Sequence, residues 1–193
     1  MPTIQVFAGP NGSGKTTITG EIPIIGAYVN ADEIQRYLHC PPLEAAQNAE
    51  QTREYCLAHG MDFTMETVLS TPRNIDLLRR AKEAGYYVIG FYVLTCDPDI
   101  NVRRVASRVA RGGHGVPEDK IRARYGRSLK NLPLLRELCD ELYVFDNSFP
   151  RDEGEPALIA RHCQGVTELR PSPKWTLDML RALMEGRDFT PYM

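Results

Sequence analysis

The chain has 193 residues, 25% of them charged, and a formal net charge of -2. It is therefore the size of one domain with its own core, and it carries no global field directed at nucleic acid or an acidic membrane. Five cysteines (Cys40, Cys56, Cys96, Cys139, Cys163) form no C-x-x-C pair and are odd in number, so they read as reduced thiols rather than a disulfide framework.

No apolar run approaches the roughly 20 residues of a membrane helix, and the N-terminus lacks the basic and apolar segments of a signal peptide. A soluble, cytoplasmic protein with neither membrane nor nucleic-acid partner is expected.

The first predicted element is an apolar strand, TIQVFAG, which runs into GPNGSGKTTI at residues 9–18. Gly9, Gly14, Lys15 and Thr16 fit the Walker A pattern G-x-x-x-x-G-K-[ST], and the match lies between a strand and a plausible helix, the context that gives it meaning. Glycine lets backbone N–H groups turn inward around phosphate oxygens where a side chain would block the approach.

The predicted nucleotide-binding segment is Gly9, Pro10, Asn11, Gly12, Ser13, Gly14, Lys15, Thr16 and Thr17. Lys15 would reach the outer phosphates, the Thr16 hydroxyl would hold Mg²⁺, and the helix N-terminus would add its dipole. No N-K-x-D tetrapeptide for reading guanine is present, which makes ATP the expected nucleotide.

The second strand, AYVN, places Asn30, Asp32 and Glu33 on the same carboxyl edge, where ligands of parallel sheets bind. Asp32 there either accepts the proton of an incoming hydroxyl or caps the helix EIQRYL. The third strand, DFTMET, ends in Glu66 and Thr67; Glu66 either serves Mg²⁺-bound water or substrate hydroxyls, or pairs with an arginine. Asn30, Asp32, Glu66 and Thr67 are the candidate substrate-binding residues.

Leu77, Leu78 and Ala81 fall at helical spacing in NIDLLRRAKEAG, and Gly85 is placed to stop that helix before the strand YYVIGFYVL. Next, Arg104, Arg108 and Arg111 line one face of a predicted helix that leads into the GGHG turn. Such a run is either a solvated basic face or a phosphate-gripping lid over about residues 103–130. His114 reads as a polar lid residue rather than a catalyst, and no histidines group with cysteines at zinc-ligand spacing.

After a last core strand, ELYVFDNS, the stretch SFPRDEGEP reads as a connection, and a final helix is predicted over about residues 172–185, opened by Ser172 and Pro173. Strand alternating with helix implies one α/β domain over residues 1–193: a mostly parallel sheet of the P-loop NTPase type, helices on both faces and a helical lid.

The combination of AGPNGSGKTT, VNADEI, FTMETVLS, RVARGGHGVPEDKIRARYGRSLKNLPLL and YVFDNS resembles the zeta-toxin family of P-loop kinases, in order from about Thr3 to Ser148. The resemblance implies an ATP-dependent kinase that phosphorylates the 3'-hydroxyl of the sugar in UDP-N-acetylglucosamine. It implies Asp32 as base, Glu66 as substrate ligand, Lys15 in the phosphate loop, and lid arginines on the transferred phosphate. Arg111 is the clearest match for the last role, ahead of Arg104 and Arg108.

By analogy with related P-loop kinases, the loop at Asp146 and Asn147 would lie near the adenine, although an ordinary strand-end turn fits it equally. An antitoxin is the macromolecular partner such a family suggests. The chain is shorter than the well-known toxins, and Pro41 to Gly60 does not show their sugar-pocket pattern. Two other readings therefore stay open: a kinase for another small-molecule hydroxyl, and an ATP-dependent binding or switch protein with no acceptor.

Overall fold

In a computed structural model, which describes residues 1–113, 115–150 and 154–188, seven strands form one sheet. The elements run β1 (Thr3–Ala8), α1 (Lys15–Thr19), β2 (Ala27–Val29), α2 (Ala31–Leu38), α3 (Pro42–Ala58) and β3 (Phe63–Thr67). They continue with α4 (Pro72–Glu83), β4 (Tyr87–Leu94), α5 (Pro98–Ala110), α6 (Glu118–Leu138), β5 (Glu141–Asp146), β6 (Ala157–Cys163), β7 (Val166–Leu169) and α7 (Leu177–Glu185).

The strand order is β2-β3-β1-β4-β5-β6-β7. The first five are parallel, while β6 and β7 are antiparallel additions at one edge. β1 connects toward the β2 edge while its neighbour β3 connects back across it to β4, so the crevice at the carboxyl ends of β1 and β3 is the topological switch point where such sheets bind ligands.

Alternation along the central strands divides the core. Ile4, Val6 and Ala8 of β1, with Val88, Tyr92 and Leu94 of β4, join the larger cluster, which Leu78, Leu132, Leu135, Trp175 and Leu183 complete. Phe7, Phe91 and Val93 point the other way and pack with Ile18 of α1. On that second face Phe7, Phe91 and Tyr143 stack in series, with ring centroids 5.1 Å and 5.4 Å apart. The buried β-branched and aromatic runs account for why the five parallel strands are legible as apolar segments.

Two elements differ from expectation. Residues 157–169 form the β6–β7 hairpin, turned by Gln164 and Gly165 at φ 50° and 77°, the left-handed pair of a two-residue hairpin loop. Arg161 and His162 dilute the apolar pattern of β6. The last helix begins at Leu177 with the Thr176 hydroxyl accepting from the Met179 N–H at 3.3 Å. Ser172 and Trp175 instead exchange backbone hydrogen bonds across a tight turn, so Pro173 presets that turn rather than a first helical position. Among the described residues no helix is long and apolar enough to cross a membrane.

Candidate active site

The phosphate loop follows β1 directly. Gly9, Gly12 and Gly14 have φ of 142°, 76° and 94°, and Gly14 is the residue before α1. A Cβ on Gly9 would lie 2.0 Å from the Val93 carbonyl oxygen, and one on Gly14 would lie 2.0 Å from Asn147 Nδ2. Both conformation and space therefore demand glycine there. Gly14→Ala is expected to cost about 1–3 kcal/mol through the left-handed strain alone, measured as a lowered thermal midpoint; an unchanged midpoint would contradict the packing of Asn147 on the loop.

Two asparagines brace the loop from outside. Asn101 of α5, fully buried, donates from Nδ2 to the Asn11 carbonyl at 2.7 Å and accepts from the Thr95 hydroxyl. Asn147, after β5, donates to the Ser13 carbonyl at 2.8 Å. Inside the loop, the buried Ser13 Oγ has no hydrogen-bond partner, and Lys15 Nζ turns back onto the Gly9 and Pro10 carbonyls at 2.8 Å and 3.1 Å. A glycine-shaped loop with a buried, unsatisfied hydroxyl and a lysine at its mouth fits a bound phosphate chain, which would supply the missing acceptor.

Burial pushes the Lys15 ammonium down to about 8; Glu66 and Asp32 pull it up, and Arg108 pushes it down further. Those three side chains are thus the charged groups that the fold gathers around the lysine. Thr16 is exposed at the first turn of α1.

Asn30, not Asp32, caps α2: its Oδ1 accepts from the Asp32 and Glu33 N–H groups at 2.9 Å and 3.4 Å. Asp32 contributes its backbone to that cap and leaves its carboxylate exposed. Among the described residues Glu66 pairs with no arginine. Its Oε1 accepts from the hydroxyls of Thr19 and Tyr28 at 3.0 Å and 2.6 Å.

Thr67 is committed to local structure, since its hydroxyl accepts from the Leu69 N–H at 2.9 Å and from Asn74 Nδ2 at 2.6 Å. Its carbonyl also receives the Gly9 N–H at 3.2 Å, tying β3 to the loop.

The three aligned arginines of α5 separate in role. Arg104 donates to the Asn147 and Phe149 carbonyls at 2.8 Å and 2.9 Å, so it organises the loop after β5. Arg108 is near enough to act on Lys15. Arg111 ends the helix, exposed, and donates to Ser107 Oγ at 2.7 Å. His114 lies outside the described residues.

Sequence reading passed over Arg124 of α6, which donates to Asn11 Oδ1 at 3.4 Å. Its neighbour Arg122 ties α6 to α5 through Asp99 at 2.6 Å. The signal available was the second arginine cluster of IRARYGR, read as part of the lid without distinguishing its members.

Two clefts are lined by residues of the surrounding elements. One, of about 590 Å³, is lined by Asp97, Arg103, Ser107, Phe149 and Lys174. The other, of about 760 Å³, lies between α2 and α3 and is lined by Tyr28, Asn30, Glu33, Arg36, Asn48 and Thr52. The first adjoins the Asn147 loop, whose Asp146 is buried, its carboxyl pushed above the usual range by burial although the Ser148 hydroxyl and N–H both donate to its Oδ1. The second mixes its polar groups with Ile34, Tyr37 and Leu38 and opens at the α2 cap, with Tyr28 linking it to Glu66. Among the described residues no group of three or more His, Cys, Asp or Glu is arranged to hold a metal.

Residues 27–151, more than half the chain, match the zeta toxin family model, a span that covers Asp32, Glu66 and the whole arginine region and begins after the phosphate loop. An uncharacterized protein of Haemophilus influenzae is 29% identical over 125 residues, 62% of this chain and 89% of the relative.

Among solved structures, a chain of the AvrRxo1-ORF1:-ORF2 structure with ATP superposes with a TM-score of 0.71 at 15% identity, covering 98% of this chain and 65% of that one. This chain thus spans a little less than two thirds of that protein. A protein of Chloroflexus aurantiacus described as a putative kinase gives a TM-score of 0.53 at 18% identity over 78% of this chain and 90% of its own. A chain from the PezAT toxin-antitoxin system of Streptococcus pneumoniae gives 0.52 at 15% identity, with 96% and 86% covered. At these identities the likeness shows a shared P-loop kinase fold.

Proposed function

The chain belongs to the zeta toxin family, and from that premise we propose that it transfers the γ-phosphoryl group of ATP to a hydroxyl of a small molecule. The acceptor we assign is the 3'-hydroxyl of the sugar in UDP-N-acetylglucosamine, the acceptor that the family resemblance implies.

The observation that carries the proposal is the α2 cap. Asn30 satisfies the helix amides, so the Asp32 carboxylate is left available on the edge that holds Lys15. A carboxylate with no structural duty, beside a phosphate-binding lysine, suits a general base that takes the acceptor proton as the new bond forms.

In this reading the ATP phosphates lie in the Gly9–Thr17 loop and the base of the nucleotide takes the cleft beside Phe149 and Lys174. The acceptor takes the cleft between α2 and α3, with Glu66 and Asn30 on its hydroxyls. Arg108, Arg111 and Arg124 supply positive charge from the helices above the loop; Arg104 holds the base-side loop.

Mg²⁺ would be held by Thr16 and the nucleotide, as the lack of a protein carboxylate cage among the described residues fits; it would neutralise charge on the phosphates. An inhibitory protein partner belongs to the same proposal, since one neighbour comes from a toxin-antitoxin system.

Mixing the protein with MgATP and UDP-N-acetylglucosamine should yield ADP and a UDP-sugar heavier by one phosphoryl group. ADP released without that product would overturn the acceptor and send the search to other hydroxyl compounds. Absence of both would overturn the kinase reading and favour an ATP-dependent binding protein.

The lysine also predicts a pH dependence. Lys15 in the nucleotide-free protein loses its proton near pH 8, and a phosphate beside it favours the ammonium form, so ATP binding above that pH must take up a proton. Affinity should be steady toward pH 7 and about tenfold weaker at pH 9. Calorimetric titrations across that range test this, and a flat profile would remove the phosphate from Lys15.

A further inference from the structure

Beyond the residues that would touch ATP or the acceptor, Tyr28 joins three parts of the site. Its hydroxyl donates to Glu66 Oε1 at 2.6 Å and accepts from Asn30 Nδ2 at 3.0 Å. The direction of each bond follows from chemistry. An ionised carboxylate only accepts, so the single phenolic proton goes to Glu66. Tyr28 is then left to accept, which requires the nitrogen of the Asn30 amide to face it. That turns Asn30 Oδ1 to the Asp32 and Glu33 N–H groups, which it caps.

Glu66 Oε1 also receives the hydroxyl of Thr19, which sits on the helix that begins at the phosphate loop. One carboxylate oxygen thus ties α1, β2, β3 and, through Tyr28, the start of α2.

We propose that Tyr28 is a positioning residue, whose hydroxyl orients the Asn30 amide and holds Glu66 so that the first turn of α2, with Asp32, stands at a set distance from the phosphate loop. This deepens the kinase reading and rests on it for its catalytic consequence, but not for the linkage itself. The ring lines the acceptor cleft as well, so a packing role and a hydrogen-bonding role must be separated. Tyr28→Phe does so because it keeps the ring and removes only the hydroxyl.

Two measurements on the full chain test the proposal. Hydrogen exchange needs no substrate: without the Tyr28 hydroxyl the Asn30 amide is no longer oriented, and the Asp32 and Glu33 amides should exchange about three- to tenfold faster. Protection at β1 should stay the same. Steady-state transfer to UDP-N-acetylglucosamine should show an acceptor KM about tenfold higher, with the KM for ATP within about twofold, as expected when one oriented hydrogen-bonding group is lost.

Tyr28→Met, which also removes the hydroxyl, replaces Tyr28→Phe if that variant fails to fold and should show the same faster exchange at the Asp32 and Glu33 amides. Unchanged exchange at Asp32 and Glu33 overturns the linkage. Changed exchange with unchanged acceptor KM overturns the positioning role. If the wild type transfers no phosphate, the kinase reading has failed and the exchange result alone decides whether Tyr28 sets α2.

Discussion

Asp32→Asn is expected to slow phosphoryl transfer by about 10²- to 10⁴-fold, the usual weight of a positioned general base. The change is nearly isosteric and removes only the ability to take a proton. The helix should not notice it, since the cap is the Asn30 side chain and Asp32 joins that cap through its backbone N–H. ATP affinity should stay within about twofold, because a carboxylate near Lys15 contributes little to a site dominated by the loop. Nucleotide titration and product formation on the same preparation separate these effects. Normal turnover in the variant would remove Asp32 from the chemistry and return it to an ordinary first-turn residue.

Lys15→Ala should lose about 10³-fold in turnover, comparable to the loss of one preorganised charge donor in a transition-state site, together with weaker ATP binding. The stability change is expected to have an unusual sign. Burial has already pushed the ammonium down to about 8, so removing it relieves a desolvation cost. Against that stand its hydrogen bonds to the Gly9 and Pro10 carbonyls. The thermal midpoint should therefore hold steady or rise while activity disappears. A variant that loses activity only in proportion to lost folded protein would mean that Lys15 is a structural clip, not a phosphate ligand.

The separation of the three α5 arginines shows how far helical spacing reaches. Spacing places Arg104, Arg108 and Arg111 on one face correctly, but it is silent on height along the helix. Arg104 is one turn closer to the sheet and meets the carbonyls of Asn147 and Phe149. Arg108, exposed, is near enough for its charge to act on Lys15, and Arg111, also exposed, lies at the helix end and bonds Ser107. Identical residues with one periodicity thus acquire three environments, because the helix rises from the strand ends toward solvent.

The Asp32 alternatives are a different case. The sequence offered Asp32 alone as base or cap, although Asn30, two residues earlier, has a side chain equally suited to capping. The backbone decides between them: Asn30 is extended at φ -129° and ψ 119°, the geometry of a cap, while Asp32 is already helical.

The sequence by itself determined the phosphate loop, the five parallel strands and the carboxyl-edge placement of Asn30, Asp32 and Glu66. Each of these is written in contiguous residues: glycine spacing dictates a backbone path, and apolar runs dictate burial. What only the tertiary structure decided is which groups meet there. The braces from Asn101 and Asn147 to the loop join residues 90 and 134 positions apart, and the bond from Tyr28 to Glu66 spans 38. No local periodicity encodes such pairs. They arise because parallel strands bring their carboxyl ends to one edge, where polar side chains from distant segments must satisfy one another out of water.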